Sequence, residues 1–255
     1  MTGVADADGG GRFAGKIALV TGASRGIGHA VARALGRDGA HVVAVARTVG
    51  GLEALDDAIR GDGRPGATLV PLDLTDGPAI DRIGAALFER FGRLDILVGN
   101  AGILGALSPV GHLDPPTFER VFAVNVAANW RLIRSLDPLL RRSPAGRALF
   151  VTSGITRHAV PYWATYTASK AALEALALGW AAETADTNLR VNLINPGPTR
   201  TRLRAEAFPG EKPETLPTPE AIAEAFLPAL HESCTLHGTW IAADEWLAGR
   251  GMAVN

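Results

Sequence analysis

Lys16-Ile17-Ala18-Leu19-Val20 runs straight into Thr21-Gly22-Ala23-Ser24-Arg25-Gly26-Ile27-Gly28. The apolar run reads as a strand, the glycine-rich octet as a tight turn, and residues 26–37 as a helix. Gly22, Gly26 and Gly28 let the backbone turn sharply and let a ligand approach it closely. The helix that opens at the turn aims free N–H groups and a positive dipole end back at it, an arrangement suited to a pyrophosphate. A glycine triplet alone is a weak signal, but a strand–turn–helix setting strengthens it. Ser24, Arg25 and Ile27 fall between the glycines and share their place beside such a ligand.

Outward from this point, short apolar runs alternate with longer helical stretches. Strands are predicted over residues 16–20, 40–46, 67–72, 94–98, 147–152, 189–194 and 239–242. Helices are predicted over 26–37, 52–60, 78–91, 116–142 (with a possible break), 162–184 and 219–231. The strands are near-continuous Val, Ile, Leu and Ala rather than alternating, as in strands covered on both faces. The pattern predicts an α/β fold: one domain over residues 13–255, with a doubly wound parallel sheet of about seven strands and helices on both faces. Residues 1–12, with Gly9-Gly10-Gly11, read as a flexible tail. Residues 198–219 carry Pro198, Pro209, Pro213, Pro217 and Pro219, and this long connection reads as a substrate lid.

Composition narrows the function. The 255 residues have a formal net charge of -1, which gives no broad attraction to nucleic acid or an anionic membrane. No apolar run approaches the roughly 20 residues of a membrane span, and no targeting segment is visible. The single cysteine, Cys234, excludes a disulfide framework or a cysteine-based zinc site within one chain. It fits a cytoplasmic protein. None of the six histidines has metal-ligand spacing, so no metal is expected.

Tyr166-Thr167-Ala168-Ser169-Lys170 places a phenol and an ammonium four residues apart, on one helical face. A free tyrosine titrates near 10, and a neighbouring ammonium favours the phenolate, so the pair suits acid–base work. The strand before Thr48 ends at Val45-Ala46-Arg47 with no acid to hold a ribose hydroxyl or to repel a 2′-phosphate. Arg47, with Arg25, can pair with that phosphate, which favours NADP(H) over NAD(H).

With these motifs in order, the chain resembles the short-chain dehydrogenase/reductase family over about residues 15–242. That resemblance implies a Rossmann fold and an oxidoreductase moving a hydride between NADP(H) and a carbonyl or alcohol substrate. It implies that Asp73 and Leu74 lie near the adenine. Asn100-Ala101-Gly102 would lie beside the cofactor; the family usually carries two asparagines there, and the first is Gly99 here. It further implies that Ser153, 13 residues before Tyr166, hydrogen-bonds the substrate oxygen, and that Asn125 holds a water linking Lys170 to solvent. The backbone of Asn195-Pro196-Gly197 would border the nicotinamide, and Thr201, or Thr199 in its place, would contact the carboxamide. Family members are commonly tetramers, and the Ala- and Leu-rich Tyr166 helix suits a homo-oligomer of two or four chains.

The substrate is not written in these motifs. Ile103, Leu104, Ile155, His158, Val160 and Trp163 suggest a mostly apolar pocket. Arg200, Arg202 and Arg204 could attract an anion, with Arg200 and Arg204 expected on one helical face. The acidic end of the Tyr166 helix, Glu183 and Asp186, speaks against an acyl-carrier thioester reductase. A non-catalytic NADP(H)-binding regulator is the other alternative, and the complete Asn–Ser–Tyr–Lys set argues against it.

Overall fold

The computed structural model describes residues 10–248. Seven strands form one sheet: β1 (Ile17–Thr21), β2 (His41–Ala46), β3 (Thr68–Pro71), β4 (Ile96–Gly99), β5 (Arg147–Val151), β6 (Arg190–Asn195) and β7 (Trp240–Ala242). Their order is β3-β2-β1-β4-β5-β6-β7, and every pairing is parallel. The expected doubly wound sheet is therefore what the chain forms. The order reverses between β1 and β4, and in such sheets ligands bind at the carboxyl ends of the strands beside that reversal.

Helices cover both faces: α1 (Gly26–Arg37), α2 (Val49–Gly61), α3 (Gly77–Phe91), α4 (Pro115–Phe122), α5 (Ala128–Arg141), α6 (Ala164–Glu183), α7 (Arg202–Ala207), α8 (Pro219–Leu230) and α9 (Ala243–Leu247). Successive strand residues point to opposite faces, so the runs feed two cores. Ala18, Val20, Val42 and Ala44 pack under α1, α2 and α8. Leu19, Val43, Val45 and Leu97 pack under α3, α5 and α6.

The structure departs from the sequence reading in several places. The helix predicted over 116–142 is α4 and α5 joined by a π-turn, Ala123–Ala127, with Asn125 fully buried at its centre. Such single-turn bulges often occur at functional sites. α6 begins at Ala164. Tyr162 lies outside it with φ 73° and an exposed ring. The short helix α9 was not expected, and the helical turn expected to join Arg200 and Arg204 begins only at Arg202, as α7. Of the tail predicted over residues 1–12, residues 1–9 lie outside the described residues. Arg12 is held to the body, its Nε donating to Asp38 Oδ2 at 2.6 Å. Among the described residues, no helix is long and apolar enough to cross a membrane.

Candidate functional site

A cleft of about 750 Å³ opens at the carboxyl ends of the strands, beside the β1/β4 reversal. At one end lies the turn between β1 and α1. Gly22 and Gly26 have φ 68° and 58°, a region that L side chains avoid. At Gly28 a Cβ would come within 2.5 Å of the Gly22 carbonyl oxygen, so the turn closes only around glycine there. Arg25 is the N-cap of α1 and provides no side-chain cap; no acid stands in the first turn. The helix thus presents N–H groups to the cleft without a side chain to satisfy them, which fits the pyrophosphate of a dinucleotide. Ser24, Arg25, Gly26 and Ile27 all line the cleft.

Asn100 fastens this turn to the neighbouring strand. Its Nδ2 donates to the Thr21 carbonyl at 2.8 Å, and its backbone N–H donates to Thr21 Oγ1 at 3.0 Å. Gly99, just before it, has no room for a side chain. A Cβ there would lie 2.4 Å from the Phe150 ring and 2.8 Å from Asn129 Oδ1. Those two side chains fill the space beside it.

Arg47, half-exposed at the end of β2, lines the cleft with Arg25 and Thr48. Its nearest acid is Asp73, at 3.7 Å. That contact is long and solvent-facing, so it leaves the guanidinium available. Asp73 accepts from the backbone N–H of Thr75 at 2.9 Å, and that bond first, with Arg47 and Arg120 contributing less, holds its carboxyl below the usual range. Arg120 on α4 lines the same region, and sequence reasoning missed it. Leu74, Ala101 and Gly102 complete this wall.

At the other end, Tyr166 and Lys170 share one face of α6, as their spacing requires. Tyr166 is buried in a small apolar cluster with Leu104, Ala207, Ile155, Trp163 and Leu203. Lys170 Nζ lies 5.8 Å from the Tyr166 ring centroid and donates to the Val151 carbonyl at 2.8 Å. Burial pushes the Tyr166 phenol up to about 12, and hydrogen bonding with the Ser153 hydroxyl pulls the other way. Burial pulls the Lys170 ammonium down to about 8, opposed by the Glu174 carboxylate. The sequence alone suggests that the ammonium would favour the phenolate. In the structure burial is the larger influence on the phenol and favours its protonated form.

The Asn125 side chain makes three hydrogen bonds that fix it beside Lys170. Its Oδ1 accepts from Ile103 N at 2.9 Å; its Nδ2 donates to the Ile103 carbonyl at 3.0 Å and to Ser169 Oγ at 2.9 Å. A Cβ on Gly102 would lie 3.3 Å from Lys170 Nζ and 3.4 Å from Asn125 Oδ1, so both groups border the same small space.

The Ser153 turn is gripped from two sides, by Asn195, which the resemblance marked for its backbone alone, and by Glu174, which the sequence reading did not single out. Asn195 Oδ1 accepts from the Gly154 and Gly197 N–H groups at 3.0 and 3.2 Å. Glu174 Oε1 accepts from the hydroxyls of Thr152 and Thr156, the latter at 2.9 Å, and from Trp240 Nε1 at 3.2 Å. Glu174 follows Lys170 by four residues on the same helical face, a spacing that was legible. Asn195 was expected, with Pro196-Gly197, only for its backbone; nothing in the sequence marked the side-chain role.

Pro196, Gly197, Thr199 and Thr201 all line the cleft. Thr199 Oγ1 donates to the Gly197 carbonyl at 3.2 Å. Thr201 caps α7, accepting from Arg204 N at 3.2 Å. Of the pocket residues expected from sequence, Ile103, Leu104, Ile155 and Trp163 line the cleft; His158 and Val160 are exposed outside it. Arg200 precedes α7, so it does not share a helical face with Arg204. Among the described residues, no group of three or more His, Cys, Asp and Glu side chains is placed to hold a metal ion.

A doubly wound sheet with an uncapped, glycine-lined helix end, joined by one cleft to a buried phenol–amine pair, defines a dinucleotide-type oxidoreductase architecture. Comparison with known proteins makes the class specific. Residues 16–212 match the family model of the short chain dehydrogenases. The oxidoreductase YciK of Escherichia coli K12, itself uncharacterized, is 37% identical over 214 residues, covering 83% of this chain and 84% of that protein. The 2,3-dihydro-2,3-dihydroxybenzoate dehydrogenase of Bacillus subtilis is 36% identical over 192 residues, covering 74% and 72%. A short chain dehydrogenase from Escherichia coli CFT073, solved in complex with NADPH, superposes with a TM-score of 0.86 at 36% identity, covering 91% of this chain and 97% of that one. The chain belongs to the short-chain dehydrogenase family and is an oxidoreductase with a small-molecule substrate.

Proposed function

We propose that this enzyme transfers a hydride between NADP(H) and a carbonyl or alcohol carbon, with Ser153, Tyr166, Lys170 and Asn125 as the catalytic set. The observation that carries this reading is a single cleft with the uncapped α1 end at one side and the Ser153–Tyr166–Lys170 group at the other. Arg25 and Arg47 would hold the 2′-phosphate and the α1 turn the pyrophosphate. Asp73 and Leu74 would border the adenine. Asn100, Ala101, Gly102, Pro196, Gly197, Thr199 and Thr201 would enclose the nicotinamide half. The NADPH complex of the similar Escherichia coli protein supports the choice of cofactor.

NADPH held there would supply the hydride for the carbonyl carbon. Ser153 donates a hydrogen bond to the carbonyl oxygen and stabilises the charge that grows there. Tyr166 gives its proton to that oxygen as the C=O π bond breaks, so the product is an alcohol. Lys170 stabilises the resulting phenolate, and Asn125, beside Lys170 over Gly102, lies on the path by which the proton is replaced. In the oxidative direction the same groups act in reverse.

The Pro-rich segment from Pro198 to Pro219, which contributes Leu203, Ala207 and Phe208 to the cleft, is read as the substrate lid of a single catalytic domain. Phe118 on α4, Trp130 on α5 and Leu178 on α6 expose large apolar side chains, which supports a homo-oligomer. The test of function is NADPH consumption across ketones, quinones, β-keto esters and thioesters, by the unaltered enzyme and by Tyr166→Phe. Turnover by the first and a loss of about 10² to 10⁴ in the second is expected. Equal turnover by both would refute the role of Tyr166.

A further inference from the structure

The substrate half of the cleft carries chemistry of its own. Trp163 meets Tyr166 edge-to-face at 6.0 Å between centroids, and Phe208 lies against Trp163 at 5.5 Å with 34° between planes. With Leu104, Ile155 and Leu203 they make an apolar chamber that ends at the Tyr166 phenol. The Phe208 ring sits at its mouth, 40% exposed, and so leaves apolar surface open to a ligand.

Three arginines stand beside this chamber, and each is already engaged. Arg200 donates to the carbonyls of Pro213 and Leu216, at 2.8 and 3.3 Å. Arg202 pairs with Glu206 at 2.8 Å. Arg204 is held by Glu211 through two bonds, at 2.6 and 2.7 Å, and its guanidinium lies 3.8 Å from the centroid of the Phe208 ring. A two-pronged, partly buried pair of this kind is the strong form of ion pair. It neutralises the cation nearest the chamber while holding the ring in place. An anionic substrate inside the chamber would have to displace Glu211 to reach Arg204, Arg200 and Arg202 being exposed to solvent, and would otherwise lose its hydration among apolar side chains.

We infer that the chamber selects an uncharged, ring-bearing carbonyl compound, packed on Trp163 and Phe208, and that the Glu211–Arg204 pair is the device that excludes anionic analogues. This rests on the hydride-transfer reading above and names the substrate class for that site.

The probes are 2-tetralone, a neutral bicyclic ketone, and a ring-carboxylated 2-tetralone that differs only by one anionic group. The readout is kcat/KM with NADPH. The unaltered enzyme is expected to favour the neutral ketone by at least about 100-fold, a difference of about 2.7 kcal/mol. Phe208→Ala should raise KM for 2-tetralone several-fold more than it lowers kcat. Glu211→Gln should leave the Arg204 charge uncompensated and narrow the preference at least about tenfold, by raising turnover of the carboxylate. That gain cannot come from unfolding. If both ketones are reduced equally well, or if Glu211→Gln leaves the ratio unchanged, the substrate class is wrong while hydride transfer stands. If NADPH binds and neither these ketones nor any carbonyl of the wider screen is reduced, the hydride-transfer reading fails, and this inference with it.

Discussion

Two opposing effects act on Lys170: its own burial and the carboxylate of Glu174. Burial lowers its ammonium to about 8, and Glu174 resists that fall. The charged form exists below that pH, and it is the form that stabilises the phenolate in carbonyl reduction. Reductive kcat/KM should therefore be level near neutrality and decline as pH rises through about 8. Glu174→Gln removes the opposing charge, so the midpoint should move to lower pH; a profile unchanged by that variant would show that the carboxylate does not reach Lys170. A second residue-scale prediction concerns Gly99, where a Cβ would overlap the Phe150 ring. Gly99→Ala should destabilise by about 1–3 kcal/mol, the usual cost of overpacking, read as a lower denaturant midpoint with unchanged slope.

At the scale of elements, the strands were legible because burial on both faces leaves continuous apolar runs. The ends were less so: β3 is shorter than residues 67–72, an edge strand whose partly exposed residues carry a weaker pattern. α7 and α9, with 6 and 5 residues, are too short for a 3.6-residue period to repeat. The π-turn at Asn125 left no compositional trace, since it widens one helical turn without needing a helix-breaking residue. Within the candidate site, the Tyr166–Lys170 spacing reads directly from the sequence, and Glu174 continues it by four residues. Phe208 could not be found this way, because it reaches Trp163 only through the path of the loop after α7. Arg47, at the end of β2, supports a prediction at this scale. NADPH should bind at least about tenfold tighter than NADH, and Arg47→Asp should abolish or reverse the preference, measured by titration of each cofactor. Equal affinities in the unaltered protein would contradict the role given to Arg25 and Arg47.

For the whole molecule, the sheet brings residues from Gly22 to Phe208 to one cleft, and α4, α5 and α6 leave Phe118, Trp130 and Leu178 exposed. Light scattering at micromolar concentration should report a dimer or tetramer; a 26.6 kDa particle would contradict that assembly. The central claim is that this cleft passes a hydride from the nicotinamide to a carbonyl carbon. Its most direct test is transfer of label from NADPH deuterated at both C4 positions, during reduction of a ketone the enzyme accepts. The account predicts one deuterium on the carbinol carbon of the alcohol and none elsewhere in it. Alcohol formed without deuterium at that carbon would contradict it.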